Sequence, residues 1–378
     1  MGSIGHHSVP PALPDRQRAV VQAESPAGKL QIVTDRPVPK PASDEVLVRV
    51  HAVAANPSDW KMTTQFPCPG AGCGMDFSGV VVATGHGLDP ALGIRVGDAV
   101  AGAVHGANPF DPQAGAFAEY TCALADLLWK IPRPWDLADA AAVGGCCVAT
   151  VGLGLFADDA LGLTFGLDQF VADGKAPFVL VYGGSTASGT MAIQLAKLCG
   201  YRVIATCSPR NAAMVESYGA ERTFDYRSPS CAADIRAYTD NTLHHVLDTI
   251  VDPKSILVAD KAIGRSGGRY AGLEALPEDV LNGSGTTRRI IKWTYVMGTS
   301  MIGREEGLTG PYYSKPRPER RAFGKWWFRT VVQDLADKGL LRPHPVKLME
   351  GGLERVPEGV EMLQKKLVSG EKLVYKVV

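Results

Sequence analysis

The chain has 378 residues, 46% of them hydrophobic and 21% charged, and its 39 basic side chains balance its 39 acidic ones. That length exceeds one ordinary core and suits about two domains of ~100–200 residues each. Zero net charge offers no bulk attraction for nucleic acid or an anionic membrane surface, and no run reads as the ~18 apolar residues of a membrane span.

In chain order, residues 1–16 read as a disordered leader. "MGSIGHHSVPPALPD" lacks the basic start and apolar centre of a secretory signal. From 17 to 155 the chain shows short alternating strands: "KLQIVTD", "EVLVRVHAVAA", "FSGVVVATG" and "AFAEYTCA". Gly, Pro and Asp separate them, which predicts a small barrel or sandwich. From 156 to 305, after the linker-like "ALGLTFGLDQFVADGKAP", strand and helix patterns alternate. Strand "FVLVYG", helix "TMAIQLAKLCG", strand "RVIATCS", helix "NAAMVESYGA", strand "RTFDY", helix "AADIRAYTD" and strands "LHHVLDTI" and "GGRYAGL" predict a doubly wound parallel α/β sheet. "MGTSMI", residues 297–302, reads as its last strand. The tail from 306 to 378 holds two helical patterns, 320–339 and 356–370, and a closing strand "KLVYKVV", and is expected to complete the first domain.

The eight cysteines are Cys68, Cys73, Cys122, Cys146, Cys147, Cys199, Cys207 and Cys231; irregular spacing predicts reduced thiols. Cys68 and Cys73 lack the second pair that a structural zinc needs.

The most informative stretch is "LVYGGSTASGT", Leu180–Thr190, an apolar strand running into glycines and then a helix. Gly183 and Gly184 allow a pyrophosphate to approach the backbone, and the helix N-terminus carries free N–H groups. Ser185, Thr186, Ala187 and Ser188 keep the turn small, and their hydroxyls donate or cap. The bland reading is a capped strand-to-helix turn. The next strand ends in Cys207, Ser208, Pro209, Arg210 and Asn211. An acid there would hold a ribose 2′-OH; hydroxyl, guanidinium and amide donors suit a 2′-phosphate, hence NADPH. The alternative is that Ser208 only caps a helix and Arg210 is solvated. Tyr226, after the third strand, sits where a side chain can reach the adenosine edge.

Taken in order, "HAVAANPSDWKM", "GMDFSGVVVATG", "VGDAV", "GAFAEY", "ADAAAV", "YGGSTASGTMAIQLAK", "ATCSPRN" and "SGEKLV" resemble the zinc-independent medium-chain dehydrogenase/reductase superfamily from about residue 17 to 378. As a set, "NPSDWKM", "LVYGGSTAS" with "ATCSPRN", and "SGEKLV" resemble the stand-alone, trans-acting enoyl reductases of fungal highly reducing polyketide synthases and PKS-NRPS enzymes. The resemblance implies a GroES-like β-rich catalytic domain, 17–155 completed by 306–378, and a Rossmann domain at 156–305. It places Ser58, Asp59, Trp60, Lys61, Leu273, Glu274, Val368 and Ser369 at the NADPH cofactor. Where zinc relatives carry ligands, this chain has Asn56-Pro57-Ser58-Asp59 and Gly74-Met75-Asp76, so no metal is expected.

The implied reaction adds hydride to an α,β-unsaturated thioester carried by a polyketide synthase. Lys61 is the candidate donor to the nicotinamide ribose or the developing enolate, against an ordinary surface lysine. Thr150 is the second candidate. Val148, Ala149, Thr150, Val151, Gly152, Leu153, Gly154 and Leu155 would wall the acyl chain, or form a buried interdomain helix, or both. Gly298, Thr299, Ser300, Met301 and Ile302 would line the same pocket. Asp76 reads as fixing a turn, and His105, His244 and His245 as non-catalytic, which leaves the acid unassigned, with solvent as one candidate. The competing readings are a zinc-free quinone or free-enone oxidoreductase and a nucleotide-binding protein without catalysis. The expected setting is a cytoplasmic monomer without nucleic-acid or membrane partners.

Overall fold

The computed structural model describes residues 13–167, 176–282 and 288–377. The leader before 13 and the middle of the linker lie outside these residues. Arg16, the last residue assigned to the leader, instead opens strand β1 (Arg16–Gln22), and its guanidinium donates to the Asp35 carbonyl at 2.7 Å. β1 pairs antiparallel with β2 (Leu30–Pro37) as a separate ribbon.

The first sheet holds β3 (Glu45–Ala54), β4 (Asp76–Thr84), β5 (Ala99–Ala103), β6 (Tyr120–Leu124) and β7 (Trp129–Lys130). Helix α1 (Pro57–Gln65) leaves β3 with Asn56 as its cap and Pro57 in its first turn. Proline suits that place, where no intrahelical N–H bond is required. α2 (Leu137–Val143) and α3 (Cys146–Phe156) follow β7.

The second sheet holds six parallel strands in the order β10-β9-β8-β11-β12-β13. They are β8 (Phe178–Tyr182), β9 (Arg202–Cys207), β10 (Arg222–Asp225), β11 (His245–Asp248), β12 (Gly268–Gly272) and β13 (Ile291–Tyr295). Every residue of β8 is buried, as expected of a central strand covered on both faces. α4 (Ala187–Leu198), α5 (Ala212–Ser217), α6 (Cys231–Tyr238), α7 (Pro253–Ala262) and α8 (Glu278–Leu281) connect or flank the strands. The order reverses between β8 and β11, which creates the crevice where doubly wound folds bind ligands.

The tail adds a short hairpin, β14 (Glu306–Gly307) and β15 (Tyr313–Ser314), then α9 (Pro318–Trp326), α10 (Gln333–Asp337), β16 (Val346–Met349), α11 (Val356–Gln364) and β17 (Lys372–Lys376). β17 pairs antiparallel with β3, and β16 pairs with β17, so the end of the chain extends the first sheet.

Three expectations need correction. "MGTSMI" is a 3₁₀ turn, Gly298–Ile302; the last strand of the nucleotide sheet is "IKWTY". Ser300 bends back to the Met297 carbonyl through both its N–H and its hydroxyl, which closes a turn. The helix over 320–339 carries a π-helical segment, Trp327–Val332, between α9 and α10. Finally, Leu137–Phe156 is long and apolar enough by composition to cross a membrane, yet 83% of its most apolar window is buried inside the fold. It breaks into α2 and α3 at Gly144.

Candidate functional site

The turn after β8 is built as the sequence suggests. Gly183 has φ +83°, and a side chain there would collide with Thr249 and Ile250. Thr186 caps α4, accepting the Gly189 N–H at 2.9 Å while donating to the Gly183 carbonyl. Its hydroxyl is therefore committed to the turn. Ser188 meets the Cys147 thiol. Ser185 is half-buried and makes no hydrogen bond with a described residue, so its hydroxyl is open to a phosphate.

Ser208 starts a 3₁₀ turn without a side-chain cap bond. Its hydroxyl instead lies 3.4 Å from that of Tyr226. The Arg227 guanidinium and the Lys254 ammonium lie 5.7 and 5.8 Å from the Tyr226 ring centre. Asn211 donates to the Ser369 hydroxyl at 3.3 Å, with Val368 beside it half-buried. Pro209 and Arg210 are exposed, and Arg210 has no partner among the described residues. Ser208, Tyr226, Asn211 and Ser369 thus meet, and a free cation stands next to them.

α1 brings Ser58, Asp59, Trp60 and Lys61 to the seam between the two sheets. The Lys61 ammonium pairs with Glu274 at 2.5 Å, and both are partly exposed. Leu273, before Glu274, packs half-buried against the core. Burial pushes the Glu274 carboxyl up, but Lys61, the Tyr312 hydroxyl and the Ala275 N–H together outweigh this and hold it below the usual range. Ser58 donates to the Met75 thioether at 3.2 Å. Asp59 Oδ1 and Trp60 Nε1 are buried without a hydrogen bond of good geometry among the described residues.

The acyl wall needs narrowing. Val148, Ala149, Val151, Leu153 and Leu155 are all at most 6% exposed and belong to the core. A side chain at Gly152 would meet Trp327, and one at Gly154 would meet Leu247 and Leu273. Among 148–155 only Thr150 is half-buried, so the buried-helix reading covers the rest. Thr150 bonds back to the Cys146 carbonyl at 2.7 Å and faces Gly298, whose missing Cβ leaves room for its hydroxyl. Thr299 donates to buried Glu306, and Ser300 and Met301 are buried with Ile302 partly so. A Thr150→Leu exchange is expected to lower kcat/KM about tenfold for long acyl thioesters and little for a four-carbon one, since it fills the Gly298 gap. An unchanged chain-length profile in steady-state kinetics would remove Thr150 from the pocket.

Two features escaped the sequence. Tyr312 donates to Glu274 at 2.7 Å. Asp76, far from fixing a turn, opens β4 at 0% exposure and accepts four donors. These are Gly145 N–H (2.9 Å), Cys146 N–H (2.8 Å), the Asn56 amide (2.9 Å) and the Lys372 ammonium (3.1 Å). "SGEKLV" and "GMDFSG" carried both residues, but nothing local to either names the other.

The chain matches the family models for the alcohol dehydrogenase GroES-like domain over 42–133 and the zinc-binding dehydrogenase over 187–305. It is 48% identical to the trans-enoyl reductase mycC of Thermothelomyces thermophilus, covering 97% of this chain and 98% of that one. The trans-enoyl reductase gkaC of Penicillium citrinum is 45% identical over 97% and 99%. Among solved structures, the CurK enoyl reductase superposes with a TM-score of 0.72 at 16% identity over 97% and 100%, a likeness of fold. The donors here do not fit the zinc that the second model's name implies. Asp76 is saturated, Met75 offers only a thioether, and burial pushes the Cys146 thiol far up. A nicotinamide nucleotide does fit: the side-chain-free turn, the open Ser185 and the unpartnered Trp60 Nε1 are groups such a cofactor satisfies.

Proposed function

Because this chain belongs to the trans-enoyl reductases of the medium-chain dehydrogenase/reductase superfamily, pyridine-nucleotide oxidoreductases, we propose that it uses NADPH to saturate enoyl thioesters carried by a partner polyketide synthase or PKS-NRPS. The observation that carries this reading is the Lys61 ammonium, held at the seam between the two sheets by Glu274. A fixed positive charge there would stand where the reacting ends of cofactor and substrate meet.

Gly183, Gly184 and Ser185 would hold the pyrophosphate on the α4 N-terminus. Ser208, Arg210 and Tyr226 would hold the 2′-phosphate, and Trp60, Lys61, Leu273 and Glu274 would border the nicotinamide ribose. The bound dinucleotide supplies hydride for the β-carbon of the enoyl thioester. Lys61 faces the thioester oxygen, where negative charge develops, and a preoriented cation there lowers the barrier. Thr150 and Gly298 border the acyl chain, and buried α3 keeps water out behind them. The α-carbon takes its proton from solvent. His105, which is buried, and His245, which is half-buried, are pulled down by burial to about 4 and stay neutral at neutral pH. The reading includes a cytoplasmic monomer, which cell fractionation and gel filtration test.

Incubation with NADPH and a crotonyl thioester should consume NADPH and release the butyryl product, with simple quinones poor acceptors. Folded protein that yields no saturated product, or that prefers quinones, overturns the reading. Arg210→Ala is expected to weaken NADPH about tenfold and NADH less than about twofold, because one charge-assisted contact to the extra phosphate is lost. Fluorescence titration of both cofactors checks this; equal weakening would count against Arg210.

A further inference from the structure

The hairpin β14–β15 is fastened on both sides of the seam. On one strand, buried Glu306 accepts the hydroxyl of Thr299, next to Gly298 and so to Thr150. At the start of the other, Tyr312 donates to Glu274 Oε1 at 2.7 Å, while Oε2 of the same carboxylate pairs with Lys61 at 2.5 Å. The Tyr312 ring meets Phe66 edge-on at 5.4 Å, and Phe66 ends the helix that carries Lys61. The Tyr295 hydroxyl donates to the neighbouring Pro311 carbonyl at 2.7 Å. Tyr312 is thus held by contacts to two separate segments, and its neighbour Pro311 is tied to a third.

We propose that Tyr312 is a positioning residue for the reaction: it fixes the Glu274 carboxylate so that its other oxygen keeps the Lys61 ammonium at the seam. The inference rests on the reading of Lys61 given above. A carboxylate on a flexible stem can rotate and swing. Here Oε1 accepts the Tyr312 hydroxyl and, more weakly, the Ala275 N–H at 3.2 Å. Without the hydroxyl only the longer bond restrains Oε1, and Glu274 can turn to solvent, taking Lys61 with it. Burial together with Glu274 pushes the Tyr312 phenol far up, so it remains a protonated donor. A misplaced cation costs rate without a change of contact chemistry, because the charge must meet the developing oxyanion in place.

Tyr312→Phe keeps the ring on Phe66 and removes only the hydroxyl. Its test is a double-mutant cycle with Lys61→Ala, read in kcat on a crotonyl thioester. Tyr312→Phe should lower kcat about tenfold in the parent enzyme and less than about twofold in the Lys61→Ala background. Equal loss in both backgrounds overturns the proposal, since a merely structural role does not depend on Lys61. The same cycle in NADPH dissociation constants needs no turnover. If the parent binds NADPH but reduces no enoyl thioester, the functional reading fails, and the affinity cycle decides: coupling supports Tyr312 as a positioning residue, and additivity overturns it.

Discussion

The Asp76→Asn variant is expected to lose about 3–5 kcal/mol of stability, the scale for a buried charge stripped of its partner. Lys372 is 4% exposed and Asp76 0%. Burial, the largest single influence, would pull the Lys372 ammonium down, but Asp76 together with Cys147 and Cys146 outweighs it and raises it. The asparagine oxygen can still accept from the Gly145 and Cys146 N–H groups, but its NH2 replaces Oδ2, the acceptor of the Asn56 amide and the Lys372 ammonium, so the exchange removes the charge and that acceptor together. The buried ammonium would then have only the Asn56 carbonyl oxygen and amide dipoles to face. Chemical denaturation at neutral pH measures the loss. An Asp76→Asn/Lys372→Met pair, which removes both charges, should recover more than half of it. A single variant within about 1 kcal/mol of the parent would mean that the ion pair is not holding the fold together. More than stability is involved: Asp76 ties the first turn of α3, which carries Thr150, to β17 and to the cap of α1, which carries Lys61.

The nucleotide half was legible because its signals are local. "FVLVY" is apolar throughout, since both faces of its strand are covered, and the small residues after it are adjacent in sequence to the helix they cap. The same locality made Gly183, Thr186 and the acid-free end of β9 readable. Where side chains from distant segments meet, the signal vanishes. Tyr312 lies 38 residues from Glu274, and Lys372 lies 296 residues from Asp76. Each reads alone as an ordinary tyrosine or a solvated lysine. β1 is missing from the strands read in the sequence, and its first residue Arg16 falls in the leader, because Arg16, Gln17 and Arg18 look polar, although Gln17 is 3% exposed and its side chain accepts the Tyr120 N–H. "MGTSMI" misled for a different reason: its apolar ends suggest a strand, while Ser300 and the left-handed Gly303 make a turn. The wall over 148–155 is implied by the resemblance, and its apolar sequence cannot separate a pocket lining from a packed helix; Trp327 and Leu247, facing Gly152 and Gly154, show the packed helix.

The Asp59→Asn variant is expected to flatten the pH dependence of stability between about pH 4 and pH 7. Asp59 is 2% exposed, with Oδ2 accepting the Asn56 N–H at 2.7 Å and Oδ1 without a hydrogen bond of good geometry among the described residues. Burial is the chief cause that pushes its carboxyl from 3.8 to about 7; the Asn56 N–H opposes it, the charge of Asp76 adds to it, and Lys372 opposes it again. The folded chain therefore holds this proton more tightly than the unfolded one. The stabilisation is complete below about pH 4 and is lost as pH rises through about 7, on a scale on the order of 4 kcal/mol. His105, His245 and His344, each pulled down by burial to about 4, act at the other end: their contribution is lost as pH falls below their ordinary 6.5. The difference between variant and parent cancels the histidines and leaves Asp59. Denaturation curves from about pH 4 to pH 8 should diverge as pH rises, with Asp59→Asn the more stable at the alkaline end. Parallel curves would show that Asp59 keeps the same proton affinity in both states. Because Asp59 closes the capping box of α1, its ionisation strengthens the Asn56 N–H bond but leaves a buried charge in the first turn of the helix that holds Lys61. Any fall in parent kcat on the alkaline side that Asp59→Asn removes would then trace to this carboxyl, acting through the helix and not on the substrate.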